Sequence, residues 1–526
     1  MKYIKGQNRT QAYLFPLSLD DSIDQNNEVR LIDMFVASLN LSEYGFKITY
    51  VENGRSAYHP ADMLKLYIYG YLNKVRSSRD LEKECKRNIE VMWLINNLTP
   101  DHNTISNFRR DNPKAIKKVF RETVRIARHF NLIGGTLIAG DSTKFRAQNS
   151  KKNNFNQKKI DRHLEYIENK LEEYNRTLSE NDGDSKEPVE KEIKKQKGRK
   201  DSYNKLEKQL KETGEAQIST SDPDSRQMII RNNITEVAYN VQTTVDAESN
   251  IPIDYKVTNH NDSKAMGNML QRAKSILHSN NFTALYDKGY HTGSEFDIAE
   301  RLGVKVMVAI PGKPNSSQAP DPNYNIENFT YNEDENTYAC PQGHTLTTNG
   351  RWHKSFIGSV FQQYRTNKCK NCPVQEKCTK SRQNGKIVQR RRYAQNIEAN
   401  RQRIENDKST YKKRQAIVEH PYGTIKRQWG YSYIMTKKYI HRASADVGFM
   451  MTAYNLRRLI NIIGLKQFGK YLKTGLSLFF GIFGLKNLIR AFLKEYYFKK
   501  IFPGSILEPA LKRLYLNQIL NFSGGF

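Results

Sequence analysis

The chain has 526 residues and a formal net charge of +30, with 85 lysines and arginines against 55 acids. That length allows two or three domains with a sizeable core and excludes a short repeat or a fibre. The cations run through most of the chain instead of sitting in one tail, which favours a polyanionic partner. Of five cysteines, four fall between Cys340 and Cys378, too few for a disulfide framework in so long a chain, so a reducing cytoplasm is expected. The start, MKYIKGQNRTQ, has no apolar core or cleavage pattern, and no secretory signal is expected. Near the other end the apolar run Gly475 to Leu485 is eleven residues long, short of the about twenty that span a bilayer. Residues 465–526 are therefore read as a basic, apolar helical tail with no membrane partner.

From Ser56 to Leu98 apolar residues such as Met63, Leu66, Tyr67, Leu81 and Cys85 recur at helical spacing. Ser77 and Ser78 are candidate caps of one helix, and Asn103 or Thr104 of a short helix ending in Arg109 and Arg110. A basic amphipathic helix follows from Lys114 to Phe130. Short capped helices with exposed cations suit a helix-turn-helix-like DNA-binding domain over residues 1–130, with Arg109 and Arg110 as DNA contacts. A plain helical bundle fits the same pattern.

Gly135 to Asp141, GTLIAGD, is an apolar run that stops on an acid. It predicts a buried strand delivering Asp141 to a sheet edge, where sites form in α/β folds; a turn-capping aspartate is the alternative. Residues 149–215 turn abruptly to mixed charge with thin apolar stripes (Leu164, Ile167, Leu171; Leu206, Leu210), which predicts an inserted helical hairpin. A hairpin of strands (Tyr239–Asp246, Ile251–Val257) comes next. It is followed by a helix (Lys264–Leu277), a strand (Phe282–Tyr286) ending at Asp287, a helix (Ser294–Leu302) and a strand (Val304–Ile310). This order predicts an α/β, ribonuclease H-like core within residues 131–464.

Between Tyr411 and Arg427 the only acid is Glu419. Tyr411, Gln415, Glu419, Tyr422 and Lys426 share one helical face, and Arg414 borders it. Pro421 predicts a kink or restart just after the acid. A surface Glu in a salt bridge is the ordinary alternative. Asp141, Asp287 and Glu419 gathered at one point would repel one another without a metal, and carboxylates holding two hard cations suit phosphoryl transfer. Separately, Cys340, Cys369, Cys372 and Cys378, with His344 as substitute, have zinc-ligand spacing. They predict a structural, zinc-ribbon-like β insert over residues 320–390.

These residues carry a resemblance to the bacterial insertion-sequence DDE transposases whose third acid lies in a Tyr-Arg-Glu-Lys signature. GDSTKFRA resembles the first-Asp motif, YDKGY the second, and Tyr411, Arg414, Glu419 and Lys426 the signature, with four residues between Arg414 and Glu419 where the usual pattern has three. YHPADMLKLYIYGYLNKVRSSRDLE and TPDHNTISNFRR are similar to the helical domain that precedes the core. The resemblance implies that Asp141, Asp287 and Glu419 are catalytic and bind two Mg²⁺ or Mn²⁺ ions. It implies that Arg414 and Lys426 grip terminal phosphates, that Tyr411 supports their helix, and that Lys288 and Tyr290 lie near the cleaved strand. It further implies cleavage at terminal inverted repeats, joining of the 3′-hydroxyl to target DNA, a homodimer in the synaptic complex, and a nucleoid-associated cytoplasmic location. A metal-dependent nuclease that does not join, and an inactive DNA-binding regulator, are the rival readings.

Overall fold

The computed structural model describes residues 18–48, 57–180, 186–231, 234–312, 318–355, 358–381 and 383–474. The apolar run Gly475 to Leu485, and most of the tail expected around it, lies outside the described residues. Residues 465–474 are helical, and no described helix is long and apolar enough to cross a membrane.

Helices come first, the longer ones being Glu28–Ala37, Pro60–Leu72, Ser78–Arg87, His102–Asp111 and Pro113–His129. Pro60 and Pro113 open their helices in the first turn, where a missing amide hydrogen removes no bond. The cap of His102–Asp111 is neither Asn103 nor Thr104 but Asp101, which accepts from the Asn103 and Thr104 amides at 2.9 and 3.1 Å. An ionised carboxylate answers both the open amides and the positive end of the helix dipole.

This helical region shares its core with later elements of the chain. The late helix Ile440–Ile463 packs on Pro60–Leu72, His102–Asp111 and Pro113–His129, and also on the strand Ile251–Thr258. Tyr67 stacks on Phe449 with ring centroids 4.7 Å apart. One cluster of buried side chains therefore crosses residue 130. Asp446 is fully buried in it, accepting from Arg76 at 3.0 Å, from Arg109 at 3.3 Å, from the Met435 amide at 2.8 Å and from the Tyr71 hydroxyl. Arg109, expected among the DNA contacts, is only 3% exposed and belongs to this network. Arg110, about 100° further round the helix, stays at the surface with Asp111 at 2.6 Å.

Among the described residues the main sheet has six strands, in a mixed α/β arrangement. Its centre, Leu137–Arg146, runs antiparallel to Ile234–Asp246 and parallel to Thr283–Tyr286, which is itself parallel to Lys305–Val308. Ile251–Thr258 and Arg226–Arg231 pair with different halves of Ile234–Asp246. Two sequence expectations change here. Asp141 does not end its strand, because Ile234–Asp246 keeps bonding from Asp141↔Thr243 on to Arg146↔Ala238. Arg226–Arg231, RQMIIR, is a strand that its flanking charges concealed.

Two insertions leave this core. A short ladder of Asn154–Phe155 with Ile218–Ser219 closes the base of the helices Gln157–Glu180 and Lys186–Thr213, which pack on each other. Further on, the strands between Thr330 and Arg391 form a separate sheet around Phe329, Tyr338, Leu346, Tyr364 and Val388.

Candidate active site

Parallel pairing of Leu137–Arg146 with Thr283–Tyr286 sets the site. Its last pair is Ala139 opposite Leu285, and two residues further along each segment come Asp141 and Asp287. With paired strands about 4.8 Å apart and side chains alternating, the register brings both acids to one level on one face. On the other face the Tyr286 ring covers Gly140 so closely that a Cβ at 140 would overlap it. The glycine before the first acid and the tyrosine before the second are thus one packing unit.

The acid-bearing face is covered by the helix Lys408–Tyr422. Its Ile417 and Val418 pack with Ala139, Val245, Leu285 and Met307. Tyr411 donates to the Tyr286 carbonyl at 3.1 Å. The Tyr422 hydroxyl lies 2.6 Å from Thr243 Oγ1 and 3.3 Å from the Asp141 carbonyl. Arg414 Nη1 stands 3.7 Å from Asp141 Oδ2. Glu419 falls between Arg414 and Tyr422 along the helix, yet it is exposed and accepts from Gln415 at 2.8 Å.

At Pro421 the helix changes type instead of stopping. The proline lies inside Lys408–Tyr422, and Gly423–Gln428 continues as a π-helix, whose wider turn carries on past the missing proline amide. That register change brings Lys426 against the central strand, where its ammonium donates to Thr143 Oγ1 at 2.9 Å and to the Lys144 carbonyl at 3.0 Å. Burial, and then Lys144, push the Lys426 amine below its usual range.

Asp141 is pushed up to about 6, chiefly by burial, with Asp287 and Asp262 adding repulsion while the Ser142 amide and Arg414 oppose it. Asp262 is an acid that the sequence did not disclose, because Asn259-His260-Asn261-Asp262 reads as a turn. Its Oδ1 accepts from Asn240 Nδ2 at 2.7 Å, and its Oδ2 lies 3.5 Å from Lys144 Nζ. A Cβ built on Gly289 would stand 3.0 Å from Asp287 Oδ1 and 3.6 Å from Asp262 Oδ2, so these two acids flank one glycine. Tyr290, expected beside a cleaved strand, is instead fully buried, 4.9 Å from the Tyr286 ring, with its hydroxyl lacking a hydrogen-bond partner among the described residues. Lys288 is exposed.

Carboxylate oxygens under mutual repulsion suit hard divalent cations. Nevertheless, among the described residues no three His, Cys, Asp or Glu side chains stand close enough to hold an ion. The fold brings Asp141, Asp287 and Asp262 near one another and leaves Glu419 facing solvent.

The same holds for the cysteines. Cys340, Cys369, Cys372 and Cys378 line one cavity of about 20 Å³ together with His344. A tight turn joins the ends of Cys340–His344, the Cys340 amide donating to the His344 carbonyl at 2.9 Å. The Cys378 thiol is pushed up by burial, held back by Lys386, and raised further by the other three thiols. Four soft sulfur donors around so small a space fit a tetrahedral zinc ion in chemistry, although the thiols do not close on one point.

Residues 17–111 match the family model described as Transposase domain (DUF772), and residues 339–460 match the Transposase DDE domain model. Both matches support reading the chain as a DDE transposase. Glu419 and the cysteines fall inside the second match, whereas Asp141 and Asp287 lie outside both. No curated protein matches the chain. A cryo-EM structure of piggyBac transposase in a synaptic complex with hairpin DNA aligns over 86% of this chain and 80% of its own, at 9% identity. Its TM-score is 0.28, too low to carry an argument about the fold.

Proposed function

We propose that this chain is the DDE transposase of a bacterial insertion sequence, with a ribonuclease H-like core, that cuts DNA at the element's terminal inverted repeats and joins the freed ends to target DNA. The observation that carries the reading is the register of Asp141 with Asp287 on neighbouring parallel segments, under a helix bearing Arg414 and Glu419. The strand order supports it as well: apart from the added edge strand Arg226–Arg231, the antiparallel strands Leu137–Arg146, Ile234–Asp246 and Ile251–Thr258 are followed by Thr283–Tyr286 and Lys305–Val308, which run parallel to the first, with one acid on Leu137–Arg146 and another after Thr283–Tyr286. Asp141, Asp287 and Glu419 would hold two Mg²⁺ or Mn²⁺ ions, which supply activation of the attacking oxygen and relief of charge on the leaving one. Arg414 offers a cation beside Asp141 to a terminal phosphate. Tyr411 fastens that helix to the end of Thr283–Tyr286, and Tyr422 fastens it to the middle of the central strands. Lys426 acts by fastening the π-helix to the central strand, and exposed Lys288 faces the nucleic acid. Assembly as a homodimer on paired ends, in a nucleoid-associated cytoplasmic setting, completes the reading.

The test is a plasmid carrying the element's ends, incubated with Mg²⁺ and wild type, Asp141→Ala, Asp287→Ala or Glu419→Gln. Wild type is expected to cut and join, while each variant binds DNA and does neither, a loss of at least about 100-fold. Cleavage without joining by wild type would move the reading to a nuclease; variants as active as wild type would end it.

For the insert, we infer a structural zinc ion on Cys340, Cys369, Cys372 and Cys378. Purified protein is expected to contain one zinc per chain, and Cys372→Ser should lower both zinc content and melting temperature. Zinc-free protein whose melting a chelator leaves unchanged would refute this assignment.

A further inference from the structure

A groove of about 580 Å³ opens between the helical region and the loop after the π-helix. Ser77, Ser78 and Arg79 form one wall with His102 to Arg110, and Met435 to Arg442 the other; no acid lines it. Arg79, Lys437, Lys438 and Arg442 project from both walls, and none forms an ion pair among the described residues. At the rim Asp111 pairs with Arg110 and Glu82 with His102.

Three features mark this groove as built for an anion. Ser77, the cap of Ser78–Arg87, makes no side-chain cap bond, so that helix presents first-turn amides to the groove. Arg442 Nε and Thr436 Oγ1 are buried polar atoms without partners in the same wall. Carboxylates fasten three amides of this wall: Asp446 takes that of Met435 at 2.8 Å, while Asp222 and Asp224 take those of Tyr439 and Ile440 at 3.0 and 2.8 Å. Tyr439 sits at φ +70°, a conformation unfavourable for a side-chain-bearing residue. Lys437 and Lys438 are exposed on that loop.

The groove also opens beyond the end of the strand that bears Asp141. Gln148 on its rim follows Leu137–Arg146 by two residues, and Tyr433, just before the wall from Met435 to Arg442, bridges to Arg146 at the end of that strand.

We propose that this groove binds the phosphodiester backbone of duplex DNA, inside the end held at Asp141. The inference rests on the transposase reading for the location of the DNA end. Preorganised cations and amides, with no acid among them, give grip and orientation without reading sequence.

The experiment is fluorescence anisotropy of a labelled 30-base-pair duplex of arbitrary sequence, over a salt series in EDTA. It compares full-length wild type with Lys437→Ala/Lys438→Ala and with the control Lys194→Ala/Lys197→Ala on the charged insertion helix. The groove variant is expected to bind about 10-fold more weakly near 0.1 M salt, and its slope of log affinity against log salt should fall by about 2. The control should lose much less. A groove variant with the affinity and slope of wild type, or one no weaker than the control, overturns the proposal. EDTA keeps chemistry out of the readout: a chain that grips DNA here but cuts nothing retains the groove and loses the transposase reading. A chain that cuts DNA while its groove variant binds like wild type does the reverse.

Discussion

Asp446→Ala is expected to lower the stability of the folded chain by about 3–5 kcal/mol, the usual result of removing one partner from a buried ion pair. The carboxylate is fully buried and answers two arginines, a tyrosine hydroxyl and a backbone amide. Arg76 and Arg109 are 6% and 3% exposed, so without Asp446 two guanidinium groups remain desolvated with no counter-charge. The damage is predicted to be local in origin and wide in effect. Arg76 also donates to the Tyr433 carbonyl at 2.7 Å, and the Tyr431 hydroxyl to that of Tyr71 at 2.7 Å, so the helical region would lose its polar attachment to the segment leading into the late helix. Urea unfolding measures the loss. The compensated variant Arg76→Met/Arg109→Met/Asp446→Leu should recover most of it, because apolar groups of similar size need no partner. A single variant within about 1 kcal/mol of wild type would mean that water reaches the arginines and that the network holds nothing.

That network bears on what the sequence discloses. Asp446 lies in HRASADVGFMMTAYNL, where an isolated acid on an otherwise apolar helix gives no sign of its partners, which are separated from it by 337 and 370 residues. Arg109 misled for the same reason: a cation near a helix end looks exposed until the element packed over it is known. The order of strands and helices was legible because each carries its own periodicity, and the two motif acids were legible because each follows an apolar run. The end of a strand is less so. Asp141 sits mid-strand because a partner strand continues beside it, and no local pattern encodes the length of a partner. Asp262 escaped notice since its role depends on Asn240 and Lys144 from other strands, while its own neighbours spell a turn. The continuation of the helix through Pro421 likewise depends on a hydrogen-bond register that changes to π after it. Composition alone does not specify that change.

The central acid also combines two demands that a single substitution separates. Asp141→Asn is expected to abolish DNA cleavage and at the same time to raise thermal stability in the absence of divalent metal. The folded carboxyl titrates near 6 instead of its ordinary 3.8 because burial and two neighbouring acids disfavour its charge. Between pH about 4 and 6 the folded chain therefore keeps a proton that the unfolded chain has released, so stability falls as pH rises through that window. Above pH 6 the full penalty stands, about 1–3 kcal/mol given that the side chain retains 23% exposure. Asparagine keeps an oxygen for the Ser142 amide, which Asp141 Oδ1 now accepts at 2.8 Å, and carries no charge to bury. The variant should thus match wild type near pH 4 and exceed it by several degrees at pH 7.5. Added Mg²⁺ should stabilise wild type more than the variant, since the variant lacks the central one of the carboxylates that gain from a cation. Scanning calorimetry across pH 4 to 8, with and without Mg²⁺, measures all three effects. An advantage that does not change with pH would assign the gain to packing instead of charge, and a variant melting below wild type at neutral pH would mean that the ionised carboxylate supports the fold.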